Sequence, residues 1–564
     1  MRKNKSAFAV YLIILAVFAI FLGFPVLRLF QQALTTDRGF DPSQFIEVMG
    51  SPQLRQAFMG SVAISLKTSI LATALGFIIA YALNFTRLFK GYKRFVELVV
   101  TIPMLSPTIV YGFAMIYTFG RQGILTRFLG FQLFDIYSTT GLLIGFLIYT
   151  VPISFMLLNN SMKYIDAQFF TVSELMGDNG IKKFWNTIMI PMLTSIGLSM
   201  VQTFFLSFTD FGLPASIAAN RPLVSGLLFT QMIGAVPDFT RGAVVAIAML
   251  LPAIATASLM LWLRRYDVKY DKISAPLLKP HPVREWAFLV ATLIPAAFII
   301  LTFASVFVVP FVESYPFNLG FTWRHFINAL NNREMVSIYQ NSLWLSVLTG
   351  IFGLILSFTA ALVVRRSSLG EKWTNVIEAM SQVTNAIPGM VLGVSFLFAF
   401  TGTTLQNSLA ILVICNVIYF FPTPFAMASQ TLEKLSGHFE KTAALLGDNY
   451  LQTLVRVIIP NCKKTFAEIF GYLFIHSMVT ISALIFLVGV RTATITTRIS
   501  ALQNFNRFDE IFVLALLLLA TNLIAKLLLG FLSKPRAMKV KEAPVKAEAT
   551  GRLMKLPMKE RKYS

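Results

Sequence analysis

Two segments of this 564-residue chain carry the same tripeptide in similar surroundings: SELMGDNGIKKFWNTIMIP at 173–191 and AALLGDNYLQTLVRVIIP at 443–460. The chemistry open to Gly-Asp-Asn is mechanical rather than covalent. Gly177 and Gly447 permit a close turn, while Asp178 with Asn179, and Asp448 with Asn449, can hydrogen-bond the local backbone and start a helix. Pro191 and Pro460 then start the following helix or tilt it, because Pro lacks an N–H and is tolerated in a first turn. In the second copy Leu445, Leu446 and Leu451 give the segment an apolar stripe of the kind that fits a groove in a partner.

Polar residues inside long apolar runs are the other candidates, since such residues are costly in a bilayer and mark pathways. Asp210, in FTDFGLP, has two readings: a group that meets a cation, or a helix-terminating turn with Gly212 and Pro214. Lys67 either binds an anion such as a phosphonate or snorkels to the headgroups. Gln202, Asn159 and Asn160 are interhelical hydrogen bonders or pathway groups, and Thr480 and Ser482, in VTISAL, are pathway candidates. His476 stands alone, so packing is expected of it rather than metal ligation. Cys415 and Cys462 are too few for a disulfide framework or metal cluster. There is no Ser/His, paired-Asp or His-rich set, so neither a catalytic site nor a metal site is expected. Gly-x-x-x-x-Gly-Lys-Ser/Thr occurs nowhere, so the chain has no P-loop for ATP.

The elements that must position these residues are set by composition. Hydrophobic residues make up 56% and charged residues 13%, with a mean hydropathy of +0.70. A soluble domain carries about 25% charge, so this chain belongs in a bilayer and a large soluble catalytic domain is excluded. Apolar runs of spanning length lie near 8–30, 60–85, 96–119, 140–160, 188–211, 241–263, 286–312, 341–364, 376–400, 407–427, 466–490 and 509–531. The first run follows Arg2, Lys3 and Lys5 but lacks a small-residue cleavage site, so it reads as an uncleaved span.

With twelve spans both termini share one side. The net charge of +22 is then mostly topology: 34 of the 48 Lys and Arg fall on one set of loops and 11 on the other. The positive-inside rule puts both termini in the cytoplasm. The basic tail from Lys534 to Ser564 lacks apolar periodicity and reads as disordered chain against anionic lipid; nucleic acid is not expected as a partner.

The runs also repeat. Ser61, Ser65 and Ala80 lie 281 residues before Ser342, Ser346 and Ala361, and the same offset carries Pro107 onto Pro388 and Gly112 onto Gly393. Tyr149, Pro152 and Gly177 meet Tyr419, Pro422 and Gly447 at an offset of 270, so one external loop has lost 11 residues. The same offset sets Asp210 over Thr480. Two parallel six-helix halves about an axis along the membrane normal follow, with a pathway between them. The segments are then 1–58 (first span and external loop), 59–264 (first repeat unit), 265–285 (basic cytoplasmic linker), 286–339 (seventh span and loop), 340–531 (second repeat unit) and 532–564 (tail).

On these residues the sequence resembles the fused permeases of binding-protein-dependent ABC importers. Their cytoplasmic EAA loop has Glu-Ala-Ala, three residues, Gly, then an Ile-x-x-Pro-like ending about 13 residues beyond the Gly. Gly447 to Pro460 has that spacing, with Ala443 and Ala444 ahead of it; Gly177 to Pro191 has one residue more, placed at Gly180. At the acidic position stand Thr171 and Lys441, with Glu174 and Glu440 nearby but out of frame. The resemblance implies an all-α membrane protein of about twelve transmembrane helices, with a cytoplasmic coupling helix in each half. It implies two copies of an ATPase subunit that binds the ATP, and an external or periplasmic binding protein. Location in a bacterial inner membrane is implied as well, and DFGLP with TISALIFLVG points to the ferric iron and 2-aminoethylphosphonate group, with thiamine and polyamine relatives. Two other classes stand against this one. A secondary transporter with parallel halves predicts mid-membrane acids, which are nearly absent; an intramembrane enzyme needs a constellation that is missing.

Overall fold

A computed structural model describes residues 2–36, 39–218, 221–266 and 281–532. The linker expected at 265–285 lies mostly outside these residues, and the basic tail lies wholly outside them. The architecture is helical, with two short antiparallel ribbons, Thr35–Thr36 with Gly39–Phe40 and Val312–Ser314 with Asn318–Phe321, in which Val312 pairs with Phe321.

The first half runs α1 (Ala7–Leu34), α2 (Pro52–Phe85), α3 (Lys90–Leu105), α4 (Thr108–Phe119), α5 (Thr139–Met162), α6 (Ala167–Leu175), α7 (Gly180–Thr209), α8 (Gly212–Ile217), α9 (Val224–Ile233) and α10 (Phe239–Arg264). The second runs α11 (Pro282–Phe311), α12 (Arg333–Arg366), α13 (Glu371–Ala386), α14 (Gly389–Phe400), α15 (Leu409–Phe420), α16 (Pro422–Lys434), α17 (His438–Leu445), α18 (450–461), α19 (Lys463–Val479), α20 (Ile495–Gln503) and α21 (Phe508–Leu532). Local signals set the ends. Ser51 accepts the Leu54 N–H and Pro52 occupies the first turn of α2; Asn332 accepts the Glu334 N–H at α12. Both helices have 34 residues, about 51 Å at 1.5 Å per residue, so they outreach a hydrocarbon core of about 30 Å.

Among the described residues, eight helices are long and apolar enough to span a membrane, and three bent pairs raise the number to as many as eleven. The runs expected at 96–119, 376–400 and 407–427 are the three that bend. The first breaks between α3 and α4 by 112°, the second between α13 and α14 by 104°, and the third between α15 and α16 by 54°. Pro107 and Pro388 cause the two sharp breaks: each lacks an N–H and holds the residue before it extended, with Ser106 at ψ 148° and Ile387 at ψ 121°. The run at 466–490 also divides, into the 17-residue α19 and a chain of turns from Thr480.

Between α2, α5 and α7 small and hydroxylated residues let the helices approach closely, as is common between helices in a membrane. Ser199 of α7 meets Thr73 of α2 at 3.2 Å and Ser154 of α5 at 2.7 Å. A Cβ on Gly76 would stand 2.4 Å from Ser154 Oγ, so α2 and α5 touch only because that side chain is absent. The two first spans cross over. α1 lies against α12, α14 and α15 as well as α10 of its own half, with Phe18 on Phe421 at 4.8 Å and Tyr11 on Trp373 at 5.7 Å. In exchange α11 packs on α2, α3 and α4, where Phe119 stacks on Phe298 at 4.6 Å and Tyr92 bonds Thr292 at 2.9 Å.

Candidate functional site: two helical hooks and a cavity between the halves

Each Gly-Asp-Asn segment forms a hook. α6 ends at Gly177, φ +71°, and α17 ends at Gly447, φ +87°; this left-handed conformation costs a side chain about 1–2 kcal/mol and costs glycine nothing. The Asp178 N–H reaches back to the Ser173 carbonyl at 3.1 Å, and the Asp448 N–H to that of Ala443 at 3.0 Å, the six-to-one closure of a Schellman turn. Asn179 then caps the next helix through Lys182 N–H, and Asn449 does so through Gln452, whose side chain completes a capping box.

The aspartates brace the hooks sideways. Asp178 accepts from Ser173 at 2.8 Å and Asn186 at 2.9 Å, whereas Asp448 takes Arg456 at 2.8 Å. The bonds from Asn186 and Ser173 hold the Asp178 carboxyl below the usual carboxylate range. Glu174 pairs with Lys183, whose ammonium also stands 5.9 Å over the Phe170 ring. Ala443 is buried; the side chain of Ala444 lies outside the described residues. At the tips Leu175, Met176 and Ile181 match Leu445, Leu446 and Leu451 in number and exposure, with Leu175 83% and Leu445 87% exposed. Beyond each hook a π-turn, Trp185–Met189 or Leu454–Ile458, leads into Pro191 or Pro460. The wider turn lets the helix continue where the proline ring would meet the carbonyl four residues back. The extra residue of the first copy falls between Asn179 and Trp185, where Gly180–Phe184 holds five residues against four in Tyr450–Thr453.

Between the halves lies a cavity of about 380 Å³. Its walls hold Gln202, Asp210, Thr480 and Ser482, bringing four of the five pathway candidates together. Lys67 is elsewhere, on the exposed face of α2. Asp210 accepts Thr108 Oγ1 at 2.7 Å and the Leu213 N–H at 2.9 Å, so it tethers α4 and α8 while lining the cavity. Asn159 bonds Asn84 of α2 at 2.7 Å, and Asn160 is exposed. His476 lines the cavity with its ring 4.2 Å from Tyr472. No group of three His, Cys, Asp or Glu able to hold a metal occurs among the described residues.

The apolar runs hid the rest of the lining. Tyr111, Tyr149, Tyr419 and Tyr472 face the cavity, as do Thr384 and Asn385 beside the second helix break. At the first break Tyr111 donates to the Ser106 carbonyl at 2.9 Å, and Asn522 of α21 donates to that of Leu105 at 2.9 Å. Side chains thereby satisfy backbone carbonyls at the break. A second cavity, about 470 Å³, shares Asn385, Pro422 and Thr423 with the first. On its wall Arg365 bridges Glu378 at 2.9 Å and Glu433 at 3.1 Å.

Residues 353–536 match the family of binding-protein-dependent transport system inner membrane components. With that domain in its second half and its long apolar helices, the chain is similar to the multi-pass permeases of the binding-protein-dependent class, which are transport subunits rather than enzymes. Over most of its length it is similar to the ferric transport system permease protein FbpB of Actinobacillus pleuropneumoniae, 23% identical over 531 residues that cover 90% of this chain and 75% of the relative. A putative FbpB of Haemophilus influenzae is 22% identical over 87% of this chain and 79% of its own length. A probable sulfate permease cysT of Helicosporidium is 28% identical over 43% of this chain and 88% of its own length.

Proposed function

We propose that this chain is both permease halves of an ATP-driven importer, fused into one polypeptide of two parallel six-helix repeats, with both termini cytoplasmic and the membrane a bacterial inner membrane. The observation that carries this reading is the pair of hooks, alike in their left-handed glycine, asparagine cap, exposed apolar tip and π-turn. Each short helix, α6 or α17, is a coupling helix seated in one of two ATPase subunits, which bind the ATP. The repeat is supported by a matched bond: Ser61 Oγ accepts the Val224 N–H at 2.9 Å, and Ser342 Oγ, 281 residues on, accepts that of Ile495 at 2.8 Å.

Closure of the ATPases draws the hooks together, and each rigid hook moves α7 or α19 behind it. The halves rock about the central cavity, which receives cargo from an external binding protein and passes it through the second cavity. The cargo we propose is ferric iron or 2-aminoethylphosphonate. The cavity wall has one carboxylate, Asp210, and no lysine or arginine among its lining residues, which favours the iron of the two and leaves the phosphonate group, like the sulfate in the name of the half-length relative, without a cationic partner. The test is uptake of iron-55 and of labelled 2-aminoethylphosphonate by cells with and without the chain, using Leu445→Asp/Leu446→Asp as the docking variant. Loss of uptake and of ATPase co-purification in that variant is expected. Uptake driven by a proton gradient without any ATPase overturns the reading.

A further inference from the structure

The two coupling helices are joined to the membrane helices by different chemistry at the same place. In the first half, Phe85 at the end of α2 meets Phe170 of α6, with ring centroids 5.8 Å apart. The offset of 281 carries Phe85 onto Arg366, the last residue of α12, and the offset of 270 carries Phe170 onto Glu440 of α17. These two form an ion pair at 3.4 Å, with the Arg366 side chain 10% and the Glu440 side chain 29% exposed. Arg366 also donates to the Leu432 and Leu435 carbonyls at the end of α16, so one guanidinium gathers α12, α16 and α17.

We infer that Arg366 and Glu440 are positioning residues forming the transmission joint of the second coupling helix, the ionic counterpart of the aromatic joint Phe85–Phe170. The inference rests on the coupling-helix reading above. It assigns Glu440, an acid beside the coupling loop, to a bond inside this chain rather than to an ATPase arginine. A partly buried pair of this kind is screened less by salt than an exposed one, and its attraction depends on both charges being present, whereas the aromatic pair carries none. The two ATPases therefore push on joints of different chemistry.

A double-mutant cycle tests this on the complex of the chain with its ATPase and binding protein in liposomes, with MgATP inside and iron-55 on the binding protein outside. Arg366→Phe and Glu440→Phe are each expected to lower iron imported per ATP hydrolysed, with the KM for ATP unchanged. The doubly aromatic variant is expected to exceed the product of the two single losses by about tenfold. Arg366→Lys, which keeps the charge, should retain more coupling than Arg366→Phe. Independent losses in the cycle, or full coupling in Glu440→Ala, overturn the joint. If the wild-type complex moves no iron, it is the cargo reading that fails. The same cycle, read as hydrogen-exchange opening of residues 438–446 in the chain alone, then decides the joint: non-additive opening supports it and additive opening overturns it.

Discussion

A single residue type decides each hook. At Gly447 a Cβ would meet nothing within 4 Å, yet φ is +87°, so the whole penalty of substitution is conformational. Gly447→Val should cost the turn about 1–2 kcal/mol, leave the chain inserted, and separate ATP hydrolysis from uptake; unchanged uptake per ATP would argue against a rigid hook. At the first hook Asp178 supplies a pH test. Its folded carboxyl lies below the ordinary value of about 3.9, so its contribution is complete above that value and is lost as the pH falls through the lowered one. Hydrogen exchange across 173–186 should stay slow at pH 5 and quicken only below about pH 4, and Asp178→Asn should remove that acid limb. These residues were legible in the sequence because turn and cap chemistry is local. The Arg366–Glu440 joint was not, since its partners are 74 positions apart and meet only through the fold.

At the scale of elements, hydropathy located the eight long apolar helices and the three bent pairs of the described residues, passed over the shorter apolar helix Val224–Ile233, and missed the bends, because an apolar run reads the same whether or not its helix breaks. Pro107 and Pro388 aligned in the repeat, but sequence alone did not show that each would turn the chain past a right angle. What makes such a break tolerable is a distant donor: Asn522 on α21 satisfies Leu105. Asn522→Asp replaces that donor with a buried acceptor, at a cost of about 3 kcal/mol or more, and should lower the thermal midpoint of the purified chain. An unchanged midpoint would mean that water serves the break. The bridge from Arg365 to Glu378 and Glu433 ties α12 to α13 and α16 beside the second cavity. Each of the three side chains is partly exposed, so the bridge is expected to contribute about 1 kcal/mol at most. Arg365→Gln should accordingly alter uptake rate more than stability, and a large drop in melting temperature without a change in rate would contradict that.

For the whole molecule, the crossing of the first spans matters more than the count of helices. Composition and periodicity placed α1 and α11 at the start of each half, but which half they pack against is a tertiary fact without a local signature. Since α1 bridges α10 of its own half to α12, α14 and α15 while α11 lies on α2, α3 and α4, each half carries a strap around the other, and these contacts are expected to hold the halves together without the linker. Opening the chain between Tyr266 and His281 and expressing the pieces together should therefore give halves that co-purify in detergent and retain ATP-driven uptake. Removing residues 2–50 from the first piece strips the α1 strap, including the contacts of Phe18 with Phe421 and Tyr11 with Trp373, and should weaken recovery of the second piece at least about tenfold, the equivalent of 1.4 kcal/mol. Equal recovery with and without the strap would shift the burden to the contacts around the cavity, such as Asn522 with Leu105 and Gln503 with the Ala215 carbonyl at 3.0 Å. Those contacts must loosen if the halves rock, whereas the straps, lying outside the cavity, can hold the pair together while they do.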